Sequence, residues 1–108
     1  MILHFCGRAD WEAALATGTY SADSLETEGF IHCSTRDQFL RPANALAAGR
    51  TDLVLLQVDE AALPVKYDET PDGVFPHVYG PIPVAAVIAV HDFPPGPDGA
   101  FVEPPDLL

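Results

Sequence analysis

The chain is poor in basic residues. Its 108 residues include only five Lys and Arg against sixteen Asp and Glu, which gives a formal net charge of −11 at pH 7. Affinity for nucleic acid depends mainly on Lys and Arg neutralising phosphates, so such a surface repels a long RNA or DNA partner. A small anionic ligand remains compatible with the composition, because a few arginines or backbone amides can hold one locally.

The chain also lacks the marks of membrane, secreted and zinc-binding proteins. No apolar run approaches the roughly 18 residues of a membrane span. The first residues, MILHFCGRAD, contain neither the basic segment nor the cleavage site of a signal peptide. Cys6 and Cys33 lie in separate apolar stretches without Cys-x-x-Cys spacing, which is typical of buried, reduced thiols. These absences predict a cytoplasmic protein with no membrane contact and no structural metal.

What the sequence does contain is enough apolar material for one core. Hydrophobic residues make up 48% of the chain, and there is no repeat, low-complexity segment or linker. Residues 1–108 are therefore predicted to form a single domain. The stretch DLVLLQVD (52–59) is apolar on both faces, which predicts a central strand. Further strands are predicted at 1–6, 29–33, 63–69 and 84–93.

Two helices are predicted between these strands. The first covers residues 11–18, with Asp10 as its N-cap and Gly18 as its stop, and the second begins at the N-cap Ser34. Strands then gather late in the chain, which favours an α+β fold with a mixed, mostly antiparallel sheet and two or three short helices. Proline and glycine predict a turn-rich loop at 70–83. The proline-rich tail, 93–108, is predicted to extend along the surface.

Histidines are the residues best suited to chemistry in this sequence. His4 lies in the first strand, His32 ends the second, and the string PHVYG contains His77 and Tyr79. We expect His4 and His32, on neighbouring strands, to flank one crevice that His77 or Tyr79 also faces. The alternative is that each histidine only satisfies hydrogen bonds in the core. His91 is interpreted as an edge residue outside this site.

The string GFIHCS places a thiol and a hydroxyl beside His32. Adjacent strand residues face opposite sides, so His32 does not activate Cys33, which is assigned to the core. Ser34 returns to the side of His32 and is expected at the edge of the crevice, although helix capping alone explains it. Aromatic walls, or alternatively core packing, are expected from Trp11, Tyr20 and Phe75.

Longer strings resemble a bacterial family of small proteins known only as domain of unknown function 952. They include S-L-x-x-E-G-F-I-H-C-S at residues 24–34 and F-P-H-V-Y-G-P at residues 75–81, together with the first-strand His4 and the W-E-A-A helix. The resemblance covers nearly the whole chain. The family name implies no activity.

The order of elements is more distantly similar to ADP-ribosyltransferase-like proteins. It most resembles the RNA 2′-phosphotransferase branch, in which an H-x-S string precedes a helix and an apolar strand, as His32-Cys33-Ser34 does here. The resemblance implies an ADP-ribosyltransferase-like fold that holds NAD as a substrate and requires no cofactor. Carried over by position, His4 contacts the adenosine-side ribose, His32 and Ser34 line the nicotinamide side, and Tyr20 stacks nearby.

The chain departs from that branch in two respects. No arginine set matches the one that binds the RNA phosphate, so an RNA 2′-phosphate is not expected as substrate. A late-strand Glu that orients the nucleophile in many transferases has only a loose counterpart in Glu69, for which surface solvation is the alternative. His77 and Tyr79 occupy the corresponding segment and, with His32, are the candidate catalytic residues.

Three classes of function stay open on the sequence. The first is an enzyme that cleaves the glycosidic bond of NAD or transfers ADP-ribose. The second is a binding module for NAD, ADP-ribose or a related nucleotide. The third is a structural or interaction protein without small-molecule chemistry. The sequence predicts at most a small nucleotide as partner and does not address the oligomeric state.

Overall fold

Two three-stranded antiparallel sheets form the framework of the chain. The computed structural model describes residues 1–108. The α+β fold of one domain, with mostly antiparallel sheet and three helices, is confirmed. The first sheet has the strand order β1 (Ile2–Gly7), β4 (Leu53–Val58), β8 (Val87–Asp92), and the second has the order β3 (Ile31–His32), β6 (Gly73–Val78), β5 (Val65–Thr70). The remaining elements are a two-residue ladder of β2 (Thr19–Tyr20) with β7 (Ile82–Pro83), the helices α1 (Arg8–Thr17), α2 (Asp23–Thr27) and α3 (Leu40–Leu46), and a 3₁₀ turn at Val84–Ala86.

Strand β4 is central, as its apolar sequence predicts. All six of its side chains are buried. Because side chains alternate along a strand, Val54 and Leu56 pack into one apolar cluster, whereas Leu53 and Leu55 pack into another on the opposite side of the first sheet. The first sheet therefore separates two cores.

Helix α1 ends where the sequence predicts but begins earlier. Gly18 has φ of +86°, a conformation that glycine adopts without strain, and its N–H closes the last turn. The predicted cap at Asp10 is wrong, because α1 begins at Arg8 and Asp10 lies within the first turn. A carboxylate there still favours the positive end of the helix.

The second predicted cap, at Ser34, is also wrong. The backbone of Ser34 forms an isolated antiparallel bridge with Leu3, with two N–H···O bonds of 2.8 Å. This bridge keeps the chain extended, and α3 begins only at Leu40. Pro42 lies in the first turn of α3, where its missing N–H has no intrahelical partner to lose.

The predicted loop at 70–83 is wrong, because most of it forms β6 and β7. A tight turn links β5 to β6: the Thr70 hydroxyl donates to the carbonyl of Gly73 at 2.7 Å, and Gly73 has φ of +124°. Pro76 lies inside β6, where it cannot donate to a ladder. Its carbonyl still accepts the N–H of Cys33 at 3.1 Å, so the strand persists.

The tail, 93–108, has no helix or strand but packs against the first sheet. Phe93 and Phe101 are 1% and 2% exposed and belong to the cluster that includes Leu55. The side-chain amide of Asn44 in α3 binds the tail backbone, accepting the N–H of Phe101 at 2.7 Å and donating to its carbonyl at 3.3 Å. Through these buried side chains the tail contributes to the second core, while most of its other residues are exposed or half-buried.

Candidate functional site on the second sheet

Polar and aromatic side chains gather on the outer face of the second sheet. The register pairs His32 of β3 with His77 of β6, and His77 in turn with Lys66 of β5. Because side chains alternate along a strand, Asp68 shares the face of Lys66, and Phe30 shares that of His32. Ile31, between Phe30 and His32, points into the core. We call this surface the histidine face and define it by Phe30, His32, Lys66, Asp68, His77 and Tyr79.

Four aromatic rings of the histidine face are in mutual contact. The ring of Phe30 stacks on that of His77, with centroids 4.0 Å apart and an interplanar angle of 13°. The His32 ring lies edge-on to His77 at 5.3 Å. Tyr79 contacts Phe30 at 5.4 Å. Phe30 therefore covers most of His77, which is 4% exposed, while Tyr79 keeps 38% of its surface exposed.

Asp68 connects two of these rings through one carboxylate oxygen. Its Oδ2 accepts a hydrogen bond from Nδ1 of His77 at 2.8 Å and another from the hydroxyl of Tyr79. These bonds, the one from Tyr79 first, hold the pKa of the Asp68 carboxyl below its usual range. The same contact raises the pKa of Tyr79, which stays a phenol. Because a carboxylate only accepts, the proton of a neutral His77 ring is on Nδ1.

A second carboxylate holds His32. Its Nε2 lies 2.9 Å from Oε2 of Glu28, which follows α2, and its side chain is 55% exposed. An exposed pair of this kind adds little stability, but it limits the orientations of the ring. Lys66 places its Nζ 5.2 Å from the centroid of the Tyr79 ring. The face therefore combines two oriented imidazoles and one ammonium group within an acidic protein.

His4 does not reach the histidine face, so the predicted convergence of His4 and His32 is wrong. The bridge between Leu3 and Ser34 aligns those two residues, and alternation then directs His32 to the side of Ser34 and His4 to the opposite side. Nδ1 of His4 instead donates to the backbone carbonyl of His32 at 2.6 Å. His4 therefore supports the β3 backbone from behind.

Tyr20, the predicted stacking residue, lies in the core with 3% exposure, and its ring offers no open face. Its hydroxyl donates to Nε2 of His4 at 2.8 Å. Burial lowers the pKa of His4 to about 4, so the imidazole is neutral near pH 7. Both nitrogens of His4 are thus occupied within the protein.

Ser34, Cys6 and Cys33 are buried and do not reach the histidine face. Ser34 is 6% exposed and takes part in the bridge described above. Both thiols are free and buried. Burial raises the pKa of Cys6 to about 11 and that of Cys33 to about 12, which removes the thiolate that a nucleophile needs.

The other sequence candidates are not in contact with the rings of the histidine face. Trp11 packs in the core, as its alternative interpretation states. Phe75 is paired with Asp68 and shares the side of His77, but it is half-buried at the end of the sheet near α3, where it lines a cavity of about 160 Å³. Glu69 is exposed and points away from Asp68 along β5. His91 lies on β8, an edge strand of the first sheet, but its side chain is buried, and its Nε2 donates to Oε1 of Gln57 at 2.6 Å.

Sequence reasoning missed Asp68, Phe30, Lys66 and Glu28. The signal for Asp68 was present, because Lys66 and Asp68 alternate along a predicted strand. It was not recognised because the partner strand, with His77, had been assigned to a loop. Once β6 is a strand, period-2 alternation brings Asp68 to His77.

Three further findings concern metal sites, membrane-spanning helices and cavities elsewhere in the molecule. No group of three or more His, Cys, Asp or Glu is arranged to bind a metal ion. None of the helices combines the length and apolar character needed to cross a membrane. A cavity of about 350 Å³ is lined by Asp92 and by two stretches of the tail, 93–94 and 102–106, none of which belongs to the histidine face.

Comparison with known proteins identifies a family whose description states no activity. The family model described as Protein of unknown function (DUF952) matches residues 5–90. The crystal structure of protein CC0527 from Caulobacter crescentus is similar at 30% identity and a TM-score of 0.86, covering 94% of this chain and 92% of that one. The solution NMR structure of CC0527 gives 33% identity and a TM-score of 0.82, covering 92% and 89%. No curated protein matches the chain.

Proposed function

Because the chain belongs to the DUF952 family, whose description states no activity, we propose its function from the histidine face: it binds NAD or a related nucleotide there and transfers or releases ADP-ribose. One observation carries the proposal. His32 and His77 lie 5.3 Å apart, each oriented by a separate carboxylate, and aromatic rings surround them. Such a set offers both stacking and hydrogen bonds to one small ligand.

Each part of a nucleotide has a complementary group on this face. A planar base or nicotinamide ring can stack on Tyr79, whose ring is partly exposed. Nδ1 of His32, the ring nitrogen that Glu28 does not bind, can bond a ribose hydroxyl. The ammonium of Lys66 supplies the positive charge that a pyrophosphate needs in a chain of net charge −11.

The element order adds support through its similarity to ADP-ribosyltransferase-like proteins. Cleavage of the bond between ribose and nicotinamide passes through an oxocarbenium-like centre, which requires orientation and nearby negative charge more than a strong acid. Asp68 and Glu28 place carboxylates at this face. In this proposal His4 and Tyr20 do not contact the ligand. His4 holds the backbone of His32 through its carbonyl, and Tyr20 holds the His4 ring.

Binding without transfer is the second candidate. The side chain of His32 is 55% exposed, so water has access to this part of the face. A transferase must keep water from the reactive ribose, because water competes with the acceptor. An open face of this kind favours a nucleotide-binding module.

NMR titration of the four histidine rings tests the proposal. NAD, ADP-ribose and nicotinamide are added separately up to millimolar concentration. We expect saturable shifts for the rings of His32 and His77, while the buried His4 and His91 serve as internal controls. Replacing His32 by Ala should weaken binding about tenfold, since one hydrogen bond to a charged or polar ligand group is worth about 1.5 kcal/mol.

The stability of the His32→Ala variant should stay close to that of the parent protein, because the side chain is exposed. Glu69→Ala, an exposed change outside the face, is the matched control and should bind normally. Absence of any saturable shift with all three compounds contradicts the proposed function.

A further inference from the structure

We propose that His77, positioned by Asp68, is the general base that takes the proton from a hydroxyl compound or water as it accepts ADP-ribose. This inference rests on the proposed function and specifies its second substrate. Asp68 is not among the site residues predicted from the sequence. The inference depends on contacts within the histidine face.

The hydrogen bonds determine which nitrogen of His77 is basic. Oδ2 of Asp68 accepts from Nδ1 at 2.8 Å, so Nδ1 carries the proton and Nε2 carries the lone pair. No protein group binds Nε2. His77 as a whole is 4% exposed, and Nε2 is not among the fully buried atoms that lack a partner. For catalysis a ligand hydroxyl must approach Nε2 through this small opening.

Two neighbours hold this arrangement in place. The Tyr79 hydroxyl donates a second hydrogen bond to the same oxygen of Asp68, which further restricts the orientation of the carboxylate. The stacked ring of Phe30, 4.0 Å from His77, keeps the imidazole plane from rotating away. When Nε2 takes up a proton, the Asp68 carboxylate stabilises the imidazolium that forms.

The step balances without an added oxidant or reductant. The acceptor oxygen forms a bond to C1′ of the nicotinamide ribose, and the bond from C1′ to the nicotinamide nitrogen breaks. The electron pair of the broken bond neutralises the pyridinium, so nicotinamide leaves uncharged. The hydroxyl proton goes to Nε2 of His77 and then to solvent.

Charge selects the class of acceptor. Asp68 and Glu28 lie at the face, and its one cation, Lys66, is assigned to the pyrophosphate, so an anionic acceptor has no counter-charge there. A carboxylate or phosphate acceptor also has no proton to give to a base. A neutral hydroxyl, by contrast, needs one to become nucleophilic. The expected acceptors are water, simple alcohols and sugar hydroxyls.

Two measurements test the inference. In the first, ¹⁵N-detected NMR of the wild-type protein should show that the neutral form of the His77 ring carries its proton on Nδ1 and not on Nε2. In the second, NAD is incubated in water with added methanol, and nicotinamide, ADP-ribose and its methyl glycoside are quantified by mass spectrometry. The variant Asp68→Asn should lower kcat about 10²-fold while KM stays within about threefold, because general-base catalysis contributes on that scale. The neighbouring Glu69→Gln is the matched control and should leave both unchanged.

Each contrary outcome has a distinct meaning. A proton on Nε2 of His77 overturns the inference on the wild-type protein, whatever the variants do. NAD that binds but is not cleaved, or is cleaved equally by the Asp68→Asn variant, overturns the inference and leaves nucleotide binding intact. NAD that does not bind overturns the proposed function and the inference together.

Discussion

Replacing Phe101 by Ala should show whether the tail is part of the folded core. Phe101 is 2% exposed, its ring centroid lies 4.9 Å from that of Phe93, and it shares a cluster with Leu55 of the central strand. Removing a buried phenyl ring from such a position costs about 3–5 kcal/mol. A domain of this size is stable by only about 5–15 kcal/mol, so the variant should lose a large part of its stability.

Urea unfolding followed by circular dichroism measures this loss. Because Phe101 packs against the sheet itself, we expect the midpoint to fall while the transition stays single and the slope m is unchanged. The neighbour Val102 is 62% exposed and provides the matched control. Val102→Ala should change the free energy of unfolding by less than about 0.5 kcal/mol.

Hydrogen exchange distinguishes core packing from a separately detachable tail. The N–H of Phe101 is bound to Oδ1 of Asn44 at 2.7 Å, so its exchange reports docking of the tail. In the parent protein this amide should exchange as slowly as those of β4. A loss of less than about 1 kcal/mol in the Phe101→Ala variant, or fast exchange at this amide in the parent, refutes the assignment of the tail to the core.

Three further outcomes follow from local features. Cys6 and Cys33 should react slowly with a thiol reagent at pH 8 in the native protein, since burial raises the pKa of both thiols; labelling as fast as in urea contradicts this. The free energy of unfolding should decrease as the pH falls from about 6.5 to about 4. In this range His4 binds a proton in the unfolded chain but not in the native protein, where its pKa is lowered to about 4. A His4→Gln variant that keeps the same pH dependence contradicts this. Gly18→Ala should cost about 1 kcal/mol, because an alanine is strained at φ of +86°, and an unchanged melting temperature argues against that strain.

Features with a strong local signal were predictable from the sequence. Five of the six residues of β4 are apolar, Gln57 being the exception, and such a run on both faces is typical of a strand covered on both sides. Gly18 stops α1 because a left-handed residue is needed there and glycine has no competitor nearby. In both places the sequence signal itself lies within a few consecutive residues.

The second sheet was harder to predict because its strands contain strand-breaking residues. Pro71 and Pro76, with Gly73, favour a loop at 70–83, and the pairing of β6 with both β3 and β5 overrides that preference. The error carried over to the site. With His77 assigned to a loop, no alternation argument connected it to Asp68.

The position of His4 illustrates a different limit. Alternation within a strand correctly directs His32 and Ser34 to one side. Which side His4 faces relative to them depends on the register between two strands that are distant in sequence. Here Leu3, not His4, is aligned with Ser34, and a shift of one residue reverses every side chain. No local pattern encodes that register.

The single bridge between Leu3 and Ser34 also has a mechanical consequence. Apart from its two backbone bonds and the one from His4 to the His32 carbonyl, no strand ladder ties the two sheets together at this point. Any shear of one sheet against the other must therefore twist residues 32–34, and it turns the His32 imidazole with them. A ligand bound to that imidazole restricts the shear. Its binding should therefore reduce the mobility of parts of the first sheet that it does not contact.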